Sequence, residues 1–175
     1  MIFLKTKNYK RINSFGFSLI EAVSYSAIFV LILIIISSSI ISINNSFREI
    51  KVSKNIRISA ALLLERVSRE VRSAEDVDDA NSIFSSSAGK IGLVSNGLAS
   101  TTEIYFDSGK VKIKKDGAVL GDLITSDTVV DALIFNKIMT LNSKAVKVEA
   151  RIRSSLGKAS STETFYLTSV LRNSY

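Results

Sequence analysis

The 175 residues include no cysteine, no histidine, no tryptophan and no proline. Without cysteine no disulfide can form, so any folded part must be held by packing alone. Without cysteine and histidine the usual zinc-ligand spacings cannot be built, and no nucleophile–histidine pair exists. No glycine or proline falls between residues 17 and 79, so nothing in that stretch punctuates a helix. Charge of one sign is in modest excess, with 23 basic against 16 acidic residues and a net charge of +7. Lys5, Lys7, Lys10 and Arg11 contribute four of those positive charges, and a chain without them carries only +3. Such a mildly basic remainder argues against a dedicated polyanion-binding surface.

What the chain does have is a long apolar run. Residues 17–43 carry a single charge, Glu21. As a helix these roughly 27 residues extend about 40 Å at 1.5 Å per residue. That exceeds the roughly 30 Å of a bilayer's hydrocarbon core, so the segment spans a membrane with some tilt. The order of features is informative. A secretory signal runs basic, apolar, cut, and its apolar part is lost. Here the small residue suited to a cut, Gly16, precedes the apolar run, so cleavage leaves a hydrophobic helix at the new N-terminus. Charge does not decide orientation, because Arg48, Lys51, Lys54 and Arg57 flank the far end of the run as the basic leader flanks the near end.

Beyond residue 43 the pattern becomes amphipathic. Phe47, Ile50, Ala60, Leu63, Leu64, Val67, Val71 and Ala74 recur at helical steps, with Arg66, Arg69 and Glu70 between them. This predicts that the helix continues over 44–79, with an alternative break at Asn44-Asn45-Ser46. The aspartates at 76, 78 and 79 are expected to end it, and the serines of 82–87 to form a solvated loop. Strands are then expected at 91–94, 102–106, 110–114, 118–123, 129–138, 145–154 and 162–171. Asp107-Ser108-Gly109 and Asp116-Gly117 serve as turns. The expected fold is α+β, a long N-terminal helix packed on an antiparallel β-sheet globular domain over 80–175.

The sequence Gly16-Phe17-Ser18-Leu19-Ile20-Glu21, behind Lys10 and Arg11 in the leader, strongly resembles the type III signal of type IV pilins and pseudopilins. The resemblance implies that residues 1–16 are a leader removed by a prepilin peptidase between Gly16 and Phe17, and that the new Phe17 amine is N-methylated. It implies an assembly role for Glu21, which would neutralise the Phe17 amine of a neighbouring subunit in a medium of low dielectric. It also implies a single-pass protein of the inner membrane, its C-terminal domain outside the cytoplasm, later built into a pilus or pseudopilus. Its partners would be other pilin or pseudopilin subunits and an inner-membrane assembly platform, with no cofactor. Two later stretches, Leu64-Glu65-Arg66-Val67-Ser68-Arg69-Glu70-Val71-Arg72-Ser73-Ala74 and Leu167-Thr168-Ser169-Val170-Leu171-Arg172-Asn173, resemble J-type (also called W-type) minor subunits. The absence of proline departs from many pilins, in which one kinks the membrane helix, and the serines at 37, 38, 39 and 42 are candidates to loosen it instead.

Other motifs have simpler readings. Ala22, Ser26, Ala27, Ser38 and Ser42 are small residues that permit close helix approach in a membrane, or are merely scattered. Tyr25 and Phe29 line the same contact or face lipid. Ser87-Ala88-Gly89-Lys90-Ile91 lacks the first glycine and the Ser/Thr of a phosphate loop. Glu75, Asp76, Asp78 and Asp79 lack the turn glycine and distal glutamate of an EF-hand and read as a solvated helix end. Lys110, Lys112, Lys114 and Lys115 alternate with Val111 and Ile113 as the solvent face of an edge strand. No aromatic residue interleaves with them to stack nucleic-acid bases.

Three functions compete. The first is a structural subunit of a filament that serves secretion, DNA uptake, adhesion or motility. The second is a pilin-like binding module contacting DNA or a secreted substrate. The third, a membrane-anchored enzyme, has no acid, base and nucleophile cluster to support it.

Overall fold

A computed structural model describes residues 18–95, 100–140 and 143–172. Gly16, Phe17 and Asn173 lie outside the described residues. The chain forms two units, Met1–Ile43 and Asn44–Tyr175. Helix α1 covers Leu19–Ser73 and starts where the Ser18 carbonyl accepts the amides of Glu21 and Ala22 at 3.0 and 3.1 Å. It passes Asn44 and Asn45 without a break, in keeping with the mild cost of asparagine inside a helix.

Within the second unit α1 buries Val52, Ile56, Ser59, Ala60, Leu63, Val67 and Val71, a stripe at steps of three and four. The expected stripe was right from Ala60 onward and shifted before it. Phe47 and Ile50 are exposed (66% and 64%), and Val52 and Ile56 take the inward positions.

The helix also ends earlier than expected, at Ser73 rather than Asp79. The aspartates that read as a helix end belong to a strand, β1 (Asp76–Ile83). The reason is pairing. Glu75 N donates to Val94 O at 2.8 Å, and Asp76, Val77 and Asp78 register with Val94, Leu93 and Gly92. Aspartate is poor in strands in general, but tertiary pairing overrides the propensity. Only Val77 points into the core.

Seven further strands follow: β2 (Lys90–Ser95), β3 (Ser100–Asp107), β4 (Lys110–Lys115), β5 (Ala118–Asp122), β6 (Thr128–Met139), β7 (Lys144–Leu156) and β8 (Ala159–Val170). Each matches an expected strand to within a few residues. The two turns also hold. Ser108 and Gly109 have φ of 51° and 81°, Asp116 and Gly117 of 48° and 86°, the doubly positive geometry of a tight hairpin.

The strands form two antiparallel sheets, not one. The first has the order β1-β2-β3-β4-β5 and the second β6-β7-β8. They are stitched along β6. Gly89 N donates to Leu133 O and Leu133 N to Ser87 O, both at 2.8 Å, while Ser85 N reaches Phe135 O and Val130 N reaches Gly109 O. One core joins the helix stripe to both sheets, with Ile91, Leu93, Ile104 and Val111 from the first and Leu133, Phe135, Val148 and Ile152 from the second. The α+β arrangement therefore stands, with the sheet divided.

Candidate functional site

Glu21 sits in the first turn of α1, where the helix dipole favours a carboxylate. The next charge along the helix is Arg48. The intervening apolar side chains are exposed, among them Ile28, Phe29, Leu31, Ile34, Ile40 and Ile41. A helix apolar all round is stable only in lipid or among other helices. α1 is long and apolar enough to cross a membrane, and its most apolar stretch has no residue buried within the chain.

Polar groups on this apolar segment are satisfied from within. Ser24 Oγ donates to Ile20 O, Ser26 Oγ to Val23 O, and Ser38 and Ser39 Oγ both to Ile35 O, each at 2.8 Å. Such back-bonds make serine tolerable where water is absent. Tyr25 Oη donates to Glu21 Oε1 at 3.2 Å. Sequence reading left Tyr25 as a contact or lipid-facing residue. The spacing of four was the available signal, since i and i+4 lie one above the other on a helix.

The lysine strand is not an edge. β4 lies between β3 and β5, which corrects the expectation that its lysines guard an open strand. Two of its charges meet carboxylates. Lys112 Nζ reaches Asp107 Oδ2 at 2.6 Å, and this bond lowers the Asp107 pKa and raises that of Lys112. Glu103 lies 3.1 Å from Lys90 and 3.9 Å from Lys114. These lysines balance carboxylates on the same sheet, a poor surface for a polyanion.

The acidic run is similarly spoken for. Asp76 pairs with Lys144 at 2.6 Å and Asp79 with Lys137 at 2.7 Å. Asp78 accepts from Asn81 Nδ2 at 2.6 Å and from the amides of Ala80 and Asn81, which hold its pKa down. Segment 87–91 is the stitch between the sheets described above, and Gly89 fits there because a Cβ would stand 2.5 Å from Leu133 O.

One polar cluster escaped sequence reading altogether. Ser59 Oγ, on the buried face of α1, lies 2.6 Å from Thr125 Oγ1 and 2.9 Å from Thr128 Oγ1. From the other side Lys110 Nζ donates to the carbonyls of Thr125 and Thr128, both at 3.0 Å, and of Ser126 at 3.4 Å. The loop joining the two sheets thus closes its carbonyls around an ammonium. Neither residue type nor spacing announces this, because the loop and Lys110 meet only through the fold.

No family model, curated protein or solved structure matches this chain.

Proposed function

We propose that this protein is a membrane-anchored structural subunit of pilin type, processed between Gly16 and Phe17 and built into a filament through its N-terminal helix. A single observation carries the reading: the one charge of the apolar segment, Glu21, stands four residues beyond a glycine–phenylalanine junction that a basic leader precedes. In lipid the unpaired carboxylate is costly. The proposed device offsets that cost twice. Before assembly the Tyr25 hydroxyl solvates Glu21, and after it the Phe17 amine of a neighbouring subunit replaces the hydroxyl with an opposite charge. The hydrophobic face left bare along α1 supplies the remaining contact between helices.

Two measurements test this. N-terminal sequencing of membrane-extracted protein is expected to begin at Phe17, and a chain still starting at Met1, or cut beyond Ile43, refutes the processing. Replacing Gly16 with a bulky residue is expected to block the cut. Glu21→Ala is expected to leave cleavage and insertion intact and to reduce recovery of the processed chain in sheared or cross-linked filament fractions, with Glu21→Asp milder. Wild-type recovery of Glu21→Ala refutes the pairing mechanism.

A further inference from the structure

We propose that the open edge of β8 is a docking site for an extended acidic peptide, which adds to the second sheet as a fourth strand and lies along α1.

The two margins of the β6-β7-β8 sheet differ. The margin at β6 is closed by main-chain bonds from Ser85, Ser87, Gly89 and Gly109. The margin at β8 has no such cover among the described residues. The only main-chain bonds near it outside the sheet are at its end, from Leu171 N to Lys144 O and from Arg172 N to Ala74 O. β8 is also long, registering with β7 from Ala159 to Val170. It lacks most of the usual guards of an exposed edge, having no proline, no lysine and no shift in its register with β7. Its one charge, Glu163, is turned to α1, where Ser53 Oγ lies 3.3 Å and Arg57 Nε 3.9 Å away. An unguarded row of peptide groups is the template on which strand addition works.

The flank of α1 turns this edge into a cleft. At the Val170 end a cavity of about 780 Å³ lies between Leu64, Ser68 and Arg72 on the helix and Leu167 and Arg172 on the other wall. A second, of about 400 Å³, lies between Glu49, Val52 and Ser53 on the helix and Lys158 with residues 159–161 at the start of β8. A strand hydrogen-bonded to β8 places alternate side chains over Leu64 and Leu167, both half-buried. That gives it apolar contact on one face and solvent on the other.

Charge selects the occupant. Arg69 on the rim is neutralised by Glu65 at 2.6 Å. Arg72 and Arg172, on opposite walls of the larger cavity, have no carboxylate partner among the described residues. Two unpaired guanidinium groups across a cleft fit a carboxylate, which each is shaped to bind in a forked pair of bonds. Antiparallel addition, the mode of both ladders in this sheet and the more stable per residue, puts the N-terminal end of the peptide beside Val170. The acidic residue therefore belongs near that end.

The test uses the full chain in lipid nanodiscs and fluorescent, end-blocked peptides of about nine residues, alternating valine and threonine, with glutamate at the second position. In anisotropy titrations this peptide is expected to bind at least tenfold tighter than the same peptide with lysine there. Two versions N-methylated on alternate amides are expected to split, the set facing β8 losing binding and the other keeping it. Hydrogen exchange is expected to slow at β8 amides and nowhere else in the sheets. Arg72 and Arg172 are exposed, so R72E combined with R172E leaves the fold intact and is expected to invert the preference to the lysine peptide. Absence of saturable binding, equal binding of both methylated peptides, or protection confined to other elements overturns the proposal. So does sedimentation showing that the chain pairs with itself through β8, since a second copy then holds the edge.

Discussion

Replacing Lys110 with methionine separates the carbonyl cage from the ordinary lysines of the same strand. Methionine keeps the length of the aliphatic stem but removes the ammonium that donates to Thr125, Ser126 and Thr128. The losses are not equal. Thr125 O still accepts from Thr128 N at 3.3 Å and from Thr128 Oγ1 at 3.1 Å, and exposed Ser126 rehydrates easily. Thr128 is fully buried, and Lys110 is its carbonyl's charged donor. The net cost is therefore that of about one hydrogen bond to a charged group, roughly 1.5–3 kcal/mol, and not three times that figure. For a chain of this size the unfolding midpoint then falls by roughly 3–12 °C. The assay is thermal unfolding of the full chain in detergent, followed by tyrosine near-UV circular dichroism, since tryptophan is absent. K110R is expected to recover part of the loss by keeping the charge, and K115M, at an exposed position at the end of β4, to stay within about 0.5 kcal/mol of wild type. If K110M also stays within that margin, the cage contributes nothing and the cluster is incidental.

Three further outcomes follow from the packing and the charges. G89A forces a Cβ to within 2.5 Å of Leu133 O and 3.0 Å of Phe135 Cδ2, so it is expected to destabilise by about 1–3 kcal/mol and to speed amide exchange at Leu133 above all. L63A empties a fully buried site at the centre of the helix stripe and is expected to cost about 2–5 kcal/mol in urea unfolding. The Asp76 carboxyl is held below the ordinary aspartate value of about 3.9, chiefly by its hydrogen bond from Lys144. A lowered carboxylate stabilises the fold above the unfolded value and loses that contribution as pH falls below it toward the folded one. K144M is therefore expected to raise the pH of acid unfolding while leaving the pH 7 to 9 range flat, and an unchanged acid midpoint counts against the pair.

Much of the fold could be read from the chain because its β part is built from local signals. Lys110, Lys112 and Lys114 alternate with Val111 and Ile113, and the strand they predict is β4. Asp107-Ser108-Gly109 and Asp116-Gly117 place the turns because positive φ needs glycine or a short polar residue there. The failures are non-local. Asp76, Asp78 and Asp79 oppose strand formation by propensity, and only the partner strand β2 makes a strand of them. The junction of the two sheets depends on Gly89 approaching Leu133, two residues far apart in sequence whose contact leaves no local mark. Phe47 and Ile50 fit the helical period as well as Val52 and Ile56 do. Which pair faces inward is fixed by where the sheets lie.

The charges of this chain differ in what answers them. Several cations and carboxylates of the folded unit pair with one another: Lys112 with Asp107, Lys137 with Asp79, Lys144 with Asp76, Arg153 with Asp131. Most of these pairs sit on the surface and contribute little to stability. Three places outside these pairs stand apart by their surroundings. Glu21 stands alone as a charge on a helix otherwise apolar up to Arg48. Arg72 and Arg172 both line the cavity at the Val170 end of β8. Lys110 is spent on main-chain carbonyls and not on a carboxylate. In the proposed assembly and docking, a partner answers the first two, one in the apolar helix and one at the folded unit's surface. The third is answered internally and so belongs to stability. Glu21→Ala and the paired Arg72 and Arg172 reversal are accordingly expected to leave the unfolding midpoint of the second unit unchanged while altering filament recovery and peptide binding respectively. K110M is expected to do the reverse.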